Sequence, residues 1–137
     1  MNGKFIDLEI RIDPSPRKST SRQISMNRKT GARFVRKSDK ALKFVADFIR
    51  SVGIRPSTEI TGPFRLEAHI YYPSRRPDLS TELIQDCLEK CNIIENDRLM
   101  VENFSRKYID TENPRIVLRV SSVDWEYLPD KKRSRTT

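Results

Sequence analysis

Three aspartates stand at spacings that suit metal chemistry. Asp78 comes directly after Arg75-Arg76-Pro77, at the end of a stretch that alternates apolar and polar residues. Asp86 lies within a segment of helical periodicity, and Asp97 closes the turn Ile93-Ile94-Glu95-Asn96-Asp97 ahead of another strand-like stretch. Acids at the ends of adjacent strands can converge on one point. Convergent carboxylate oxygens are what a hard cation such as Mg²⁺ requires, with waters and a substrate phosphate completing its shell. Asp86 falls about two helical turns beyond Asp78. Joint ligation therefore needs the chain before the helix to fold back, and Asp86 is either a ligand or a group supporting one. The plainer reading stays open: aspartates before helices also serve as caps, and acids are common in turns. Arg75 and Arg76 would hold phosphates beside such a centre. Otherwise they are ion-pair partners on a solvated face.

Other chemistries find less support. Cys87 and Cys91 are four apart on one apolar helical face, and the single histidine, His69, lies on a strand elsewhere. Zinc needs about four ligands, so the cysteines read as core. His69 has no matched Ser or Cys nucleophile and reads as a residue of the polar strand face, not a general base. With only four glycines there is no phosphate-cradling loop, hence no nucleotide cofactor. Trp125 and Tyr127 either pack over an edge or stack on bases.

The charge distribution names a class of partner. The chain has 137 residues, 36% apolar and 34% charged, with a net charge of +8. That length predicts one domain with a modest core. Between Arg17 and Lys43 ten Lys and Arg face one acid, Asp39, giving +9, so the remainder sums to −1. A near-neutral body carrying one basic segment is an electrostatic footprint for a polyanion. Arg17, Lys18, Arg22, Arg28, Lys29 and Arg33 are its expected nucleic-acid contacts, joined by Arg75, Arg76 and Lys107. No apolar run approaches the roughly 18 residues that span a bilayer. No signal-peptide core follows Met1, which argues against secretion and for the cytoplasm.

The elements that must position these residues follow from periodicity. Phe5–Ile12 reads as a strand with slippage at Ile6-Asp7, stopped by Pro14-Ser15-Pro16. Residues 15–31 read as a basic loop, with a short strand Arg33-Phe34-Val35 returning from it. Ser38 caps a helix whose apolar positions are Leu42, Val45, Ala46, Ile49 and Val52, ended by Gly53. Phe64–Tyr72 has the cleanest alternation in the chain. A second helix begins at Ser80 or Thr81, buries Leu83, Ile84, Cys87, Leu88 and Cys91, and stops at Asn92. Met100–Tyr108 and Arg115–Val120 read as two strands joined by a turn at Asp110–Pro114. The order predicts an α+β (α/β) domain, residues 1–122, with a mixed sheet of about four strands and two helices packed on one face. The basic loop spans about 14–37, and 123–137 form a polar basic tail.

Ser74-Arg75-Arg76-Pro77-Asp78-Leu79-Ser80-Thr81, the following Glu82-Leu83-Ile84-Gln85-Asp86-Cys87-Leu88, and Ile94-Glu95-Asn96-Asp97-Arg98 together resemble the RusA-type Holliday-junction resolvases of bacteria and phages. The family shows a basic run into Asp-Leu-Asp-Asn, a helix with Asp-Ala-Leu, then paired aspartates before a strand. The resemblance covers roughly residues 5–121. It implies Mg²⁺ held by Asp78, Asp86 and Asp97, branched DNA gripped by the basic residues, and a homodimer making two symmetric cuts. It also implies a bacterial or phage-infected host. The chain departs from the pattern at defined places. Ser80 and Thr81 replace the second Asp and the Asn, and Asn96 replaces the first paired acid. The interval from Asp78 to Asp86 is two residues short, and Glu82, Leu83 and Ile84 occupy the places of a helix Lys. Lys107 and Arg98 are the candidates to replace that cation.

The expected function is therefore Mg²⁺-dependent endonucleolytic resolution of four-way DNA junctions. The alternative is a basic nucleic-acid-binding protein without catalysis. A module binding an acidic protein is a third class.

Overall fold

The computed structural model describes residues 4–16, 22–26, 29–30, 33–37 and 39–125, with 22–26 and 33–37 described by their backbone. Strand β1 (Phe5–Ile10) is followed by β2 (Arg22–Met26), β3 (Arg33–Lys37), helix α1 (Asp39–Val52), β4 (Phe64–Tyr72), helix α2 (Glu82–Lys90), a 3₁₀ turn (Asp97–Leu99), β5 (Met100–Ile109) and β6 (Arg115–Ser122). Four strands form one sheet in the order β1-β6-β4-β5, with β4 and β5 parallel and the other pairs antiparallel. This is the single α+β domain with a four-stranded mixed sheet and two helices that the sequence predicts.

Burial explains the arrangement. In β4 every second residue, Phe64, Leu66, Ala68, Ile70 and Tyr72, is fully buried. Ile116, Leu118 and Val120 of β6 join them, and so does Ile10 of β1. Ala41, Phe44 and Phe48 of α1 and Leu83, Ile84, Cys87 and Leu88 of α2 complete the same core. The helices therefore cover one face, and the other carries Arg65, Glu67, His69 and Tyr71.

Four expectations are corrected. The apolar stripe of α1 is turned: Ala41, Phe44 and Phe48 are buried, whereas Leu42 and Ala46 are exposed and Val45, Ile49 and Val52 are half-buried at the core's margin, because the two Phe rings take the face toward the core. β1 has no slippage: its register on β6 is continuous, Ile6, Leu8 and Ile10 point inward, and Phe5 lies on the outer face. The Arg119 guanidinium covers the Phe5 ring at 4.3 Å, which makes an outward Phe tolerable. β1 also ends at Ile10, and Pro14 prevents further pairing. Finally, residues 15–31 are not all loop. β2 pairs with β3 in an antiparallel ribbon, Arg22 opposite Lys37 and Ile24 opposite Val35. Ile24 and Met26 alternate with polar residues, a period-two signal that the surrounding charge obscures.

Helix ends behave as their residues dictate. Gly53 takes φ +83° after α1, and Asn92 takes φ 61° after α2. Amides of Asn92 and Ile93 bond the carbonyls of Glu89 and Leu88 at 3.1 and 2.9 Å. That is a Schellman stop, with Leu88 and Ile93 both buried beneath it. Ser38 lies outside the described residues. No helix among the described residues is long and apolar enough to cross a membrane.

Candidate functional site

The Asp78 loop is held by two side chains from the sheet. β4 delivers Tyr72 to the helix-covered face. Its hydroxyl donates to the Asp78 carbonyl at 3.3 Å and accepts from the Ser80 amide at 3.4 Å. β5 places Lys107 opposite Ile70 on that face. The Lys107 ammonium donates to the carbonyls of Arg75 at 2.9 Å and Pro77 at 2.5 Å, and lies 5.6 Å from the Tyr72 ring centroid. The backbone of residues 75–80 is thus fixed by these contacts. Lys107, expected as a nucleic-acid contact, spends two of its three donors on this loop. Asp78, Arg75 and Arg76 are exposed. Among the described residues no carboxylate lies within ion-pair distance of either arginine.

α2 grows out of this loop. Ser80 Oγ accepts from the Glu82 amide at 3.4 Å, and buried Thr81 accepts from Gln85 Nε2 at 2.9 Å. Both residues that replace the acid and amide of the resembling pattern therefore support the helix start. Leu83, Ile84, Cys87 and Leu88 anchor α2, which leaves Asp86 half-buried at its margin. After the stop at Asn92 the chain bridges Ile94 to Ile60, and Glu95 accepts from the Gly62 amide at 3.2 Å. Asn96 Oδ1 accepts from the Arg98 amide at 2.9 Å and caps the 3₁₀ turn that Asp97 opens. That turn packs against α2, the element carrying Asp86.

Strand ends alone do not bring the aspartates together. Asp78 follows the C-terminal end of β4, whereas Asp97 precedes the N-terminal end of β5, where Met100 pairs with Phe64. In a parallel pair these are opposite ends, separated by eight residues of rise, about 26 Å. The chain returns between them through the Asp78 loop and α2. Among the described residues no group of three or more His, Cys, Asp or Glu is placed to hold a metal ion. Mg²⁺ needs only one or two carboxylates, with water and phosphate oxygens filling the rest. The hard oxygens of Asp78, or of Asp86 with Asp97, fit that chemistry. A three-carboxylate cage within one chain is not what these positions assemble.

The remaining expected site residues fall as follows. Lys29 is exposed in a turn, and Arg22 and Arg33 open the two ribbon strands. Arg17, Lys18, Arg28 and Tyr127 lie outside the described residues. Trp125 is exposed. Cys87 and Cys91 are buried thiols not joined in a disulfide, and burial pushes the Cys91 thiol up. His69 bonds the Tyr108 hydroxyl at 2.8 Å and Glu67 at 2.9 Å, so it is a structural link on the outer face. A cleft of about 720 Å³ lies between the end of β1 and α1. None of the three aspartates lines it.

Periodicity marks Tyr72 as core but is silent on its hydroxyl. The signal available was its place, a polar-tipped aromatic at the last strand position before the Arg-Arg-Pro-Asp run. Asn103, Ser105 and Lys107 give a second signal, since they make the inward face of β5 polar. Such a strand is covered by a loop's backbone, not by an apolar helix. No known protein family matches this sequence, and no curated protein matches it.

Proposed function

We propose that this chain is a divalent-metal-dependent endonuclease acting on branched DNA, with the four-way junction as its substrate. The observation that carries the reading is the Asp78 loop. One exposed carboxylate and two exposed arginines stand on a backbone held at four points. Arg75 and Arg76 take phosphate oxygens on either side of the cut, where paired N–H donors match them. Asp78 on one side, or Asp86 with Asp97 on the other, would supply the hard oxygens for Mg²⁺, with water and phosphate completing its shell. When bound, the metal contributes Lewis acidity at the scissile phosphate and stabilises the charge that develops there. Tyr72 and Lys107 keep the loop from moving as the phosphate is engaged. The basic segment supplies long-range attraction and backbone contacts, which carry little sequence information. Two symmetric cuts call for two copies of the chain. The compartment that suits this work is the cytoplasm of a bacterial or phage-infected cell.

A second reading, junction or nucleic-acid binding without cutting, is favoured by Ser80 and Asn96. Both stand where the resembling pattern has acids, and both cap backbone amides here.

The test is cleavage of a labelled four-way junction beside linear duplex, in Mg²⁺ and in EDTA, by wild type, Asp78→Asn and Asp97→Asn. Paired symmetric nicks that need metal and both aspartates are expected. Tight junction binding without nicks in Mg²⁺ or Mn²⁺ selects the second reading. Normal cutting by Asp78→Asn sinks the assigned site.

A further inference from the structure

The link that His69 makes on the outer sheet face has a direction. Glu67 and His69 are two apart on β4, so they share that face. Tyr108 sits on β5 opposite Tyr71, which places it diagonal to His69 across the parallel pair. Its hydroxyl is 2.8 Å from His69 Nδ1, and Glu67 Oε2 is 2.9 Å from His69 Nε2. Glu67 Oε1 accepts from Arg65 at 2.9 Å. His69 and then Arg65 hold the Glu67 carboxyl below the usual carboxylate range, so it is ionised and can only accept. The proton between Glu67 and the imidazole therefore sits on Nε2. A neutral imidazole then has a bare lone pair at Nδ1, and the Tyr108 hydroxyl donates to it. We propose that Glu67, His69 and Tyr108 form a nucleophilic relay in which Tyr108 Oη attacks phosphate esters.

The first argument is the order of roles. Nucleophile, base and orienting carboxylate each lie within hydrogen-bond reach of the next, which is the arrangement that activates a weak hydroxyl. Sequence alone gives His69 no Ser or Cys partner, and the β4–β5 register supplies this hydroxyl instead. In the step, an Oη–P bond forms and the bond from phosphorus to the leaving oxygen breaks. The phenol proton passes to Nδ1 and from there to the leaving oxygen. Glu67 keeps the imidazole in the tautomer that accepts the proton and stabilises the imidazolium formed in between.

The second argument is the kind of electrophile. An acyl oxyanion wants backbone donors aimed at it. Sheet amides lie in the plane of the strands, and those of β4 are taken by β5 and β6. What rises from this face is guanidinium. Exposed Arg106 lies 5.4 Å from the Tyr108 ring centroid. Arg115 lies 3.7 Å over the Tyr71 ring, and Tyr71 stacks on Tyr108 at 4.4 Å. Guanidinium forks match the oxygens of a phosphate, and a chain of net charge +8 draws in anions.

The third argument is access. Glu67, His69 and Tyr108 are all half-buried, and the first two line an open hollow of about 450 Å³ with Val117 and Arg119. The three groups are held in place yet reachable from solvent. The Tyr71 ring fixes the Tyr108 ring from one side, which leaves the hydroxyl a single bonded position at His69. A nucleophile held beforehand in its reacting geometry needs little further ordering.

The relay shares no residue with the proposed endonuclease site. Its test treats the full chain with thymidine 5′-(4-nitrophenyl phosphate) in EDTA, so that neither a junction nor a metal at the Asp78 loop plays a part. A burst of about one equivalent of nitrophenolate is expected, with a thymidylyl group on Tyr108 in peptide mass spectra. Tyr108→Phe, which keeps the ring on Tyr71, should lose the burst. His69→Ala should slow it roughly 100-fold, the usual gain from a positioned base, and free imidazole should restore it. Restoration separates a lost base from a damaged fold. Glu67→Gln should slow the burst by about tenfold or more through the lost tautomer, and Glu67→Asp should recover part of the rate. Neutral 4-nitrophenyl acetate should modify Tyr108 no faster than Tyr71, Tyr72 or Tyr127. Wild type without an adduct on Tyr108 overturns the inference. So does thymidylylation shared evenly among the tyrosines, a rate indifferent to His69→Ala, a loss that imidazole fails to restore, or preferential acetylation of Tyr108. None of these outcomes touches Asp78, whose role is decided by junction cleavage.

Discussion

Lys107 is the residue whose role changes most between sequence and structure. As a lone cation on a strand it reads as a phosphate contact. In the fold its ammonium bridges two loop carbonyls under a tyrosine ring, which makes it a positioning residue for Asp78. Lys107→Met and Tyr72→Phe should each cut junction nicking by about tenfold or more, since misplacing a reacting group by about 1 Å costs roughly 100-fold. Junction affinity should fall far less, because the arginines remain. A parallel loss of binding and cutting would show that the loop merely grips DNA. Asp78→Asn is expected to abolish nicking and leave junction affinity within about threefold, as phosphate contacts dominate binding. Band-shift titrations beside the cleavage assay separate the two quantities.

At the scale of elements, the helix ends are set by single residues. Gly53 holds φ +83°, and a methyl group there would meet nothing within 4 Å. Gly53→Ala should therefore destabilise by about 1 kcal/mol through backbone strain alone. Urea melts with unchanged m-value would check it. Leu88 is fully buried on α2 beneath the Schellman stop, and Leu88→Ala should cost about 2–5 kcal/mol. Because α2 carries Asp86 and follows the Asp78 loop, that loss should lower nicking before it lowers folding at moderate temperature. β2 is the least legible element, whereas β3 matches the short strand expected at Arg33–Val35. Their pairing is non-local within a segment of +9, and local composition there speaks for solvent and polyanion before it speaks for strand.

Over the whole molecule, charge sets the pH range and the salt dependence expected of the proposed binding. Among the described residues four carboxylates have pKa values held below the usual range by bonded side-chain donors. Arg119 acts on Asp7, Lys43 and then Arg50 on Asp47, His69 and then Arg65 on Glu67, and Arg115 on Asp110. Each takes up a proton less readily folded than unfolded. The stability they add is present above the ordinary carboxylate pKa of about 4 and is lost as pH falls through the lowered folded values. Melting temperature should be nearly flat from about pH 7 to 5 and decline below about 4. Asp7→Asn should flatten part of that decline. For DNA binding, replacing Arg75 and Arg76 by Gln should reduce the slope of log affinity against log salt by about 1.8, at about 0.9 per phosphate contact. An unchanged slope would place both side chains away from the backbone.

The sequence by itself determined what depends on local order. The alternation in Phe64–Tyr72, the stripe of α2, the helical period of α1 but not its buried face, the stops at Gly53 and Asn92, and the basic segment are all properties of neighbours along the chain. They suffice for an α+β domain with a four-stranded sheet and two helices, and for the expectation of a polyanionic partner. The tertiary structure decided what depends on pairing. It put β5 parallel to β4, which sends Asp78 and Asp97 to opposite strand ends. It brought Lys107 across from Ile70 to the carbonyls of Arg75 and Pro77, contacts 30 and 32 residues apart in the chain. It set the Tyr108 hydroxyl beside His69, 39 residues away in the chain. Periodicity assigns a residue to a face, but only register says which strand's residues lie beside it.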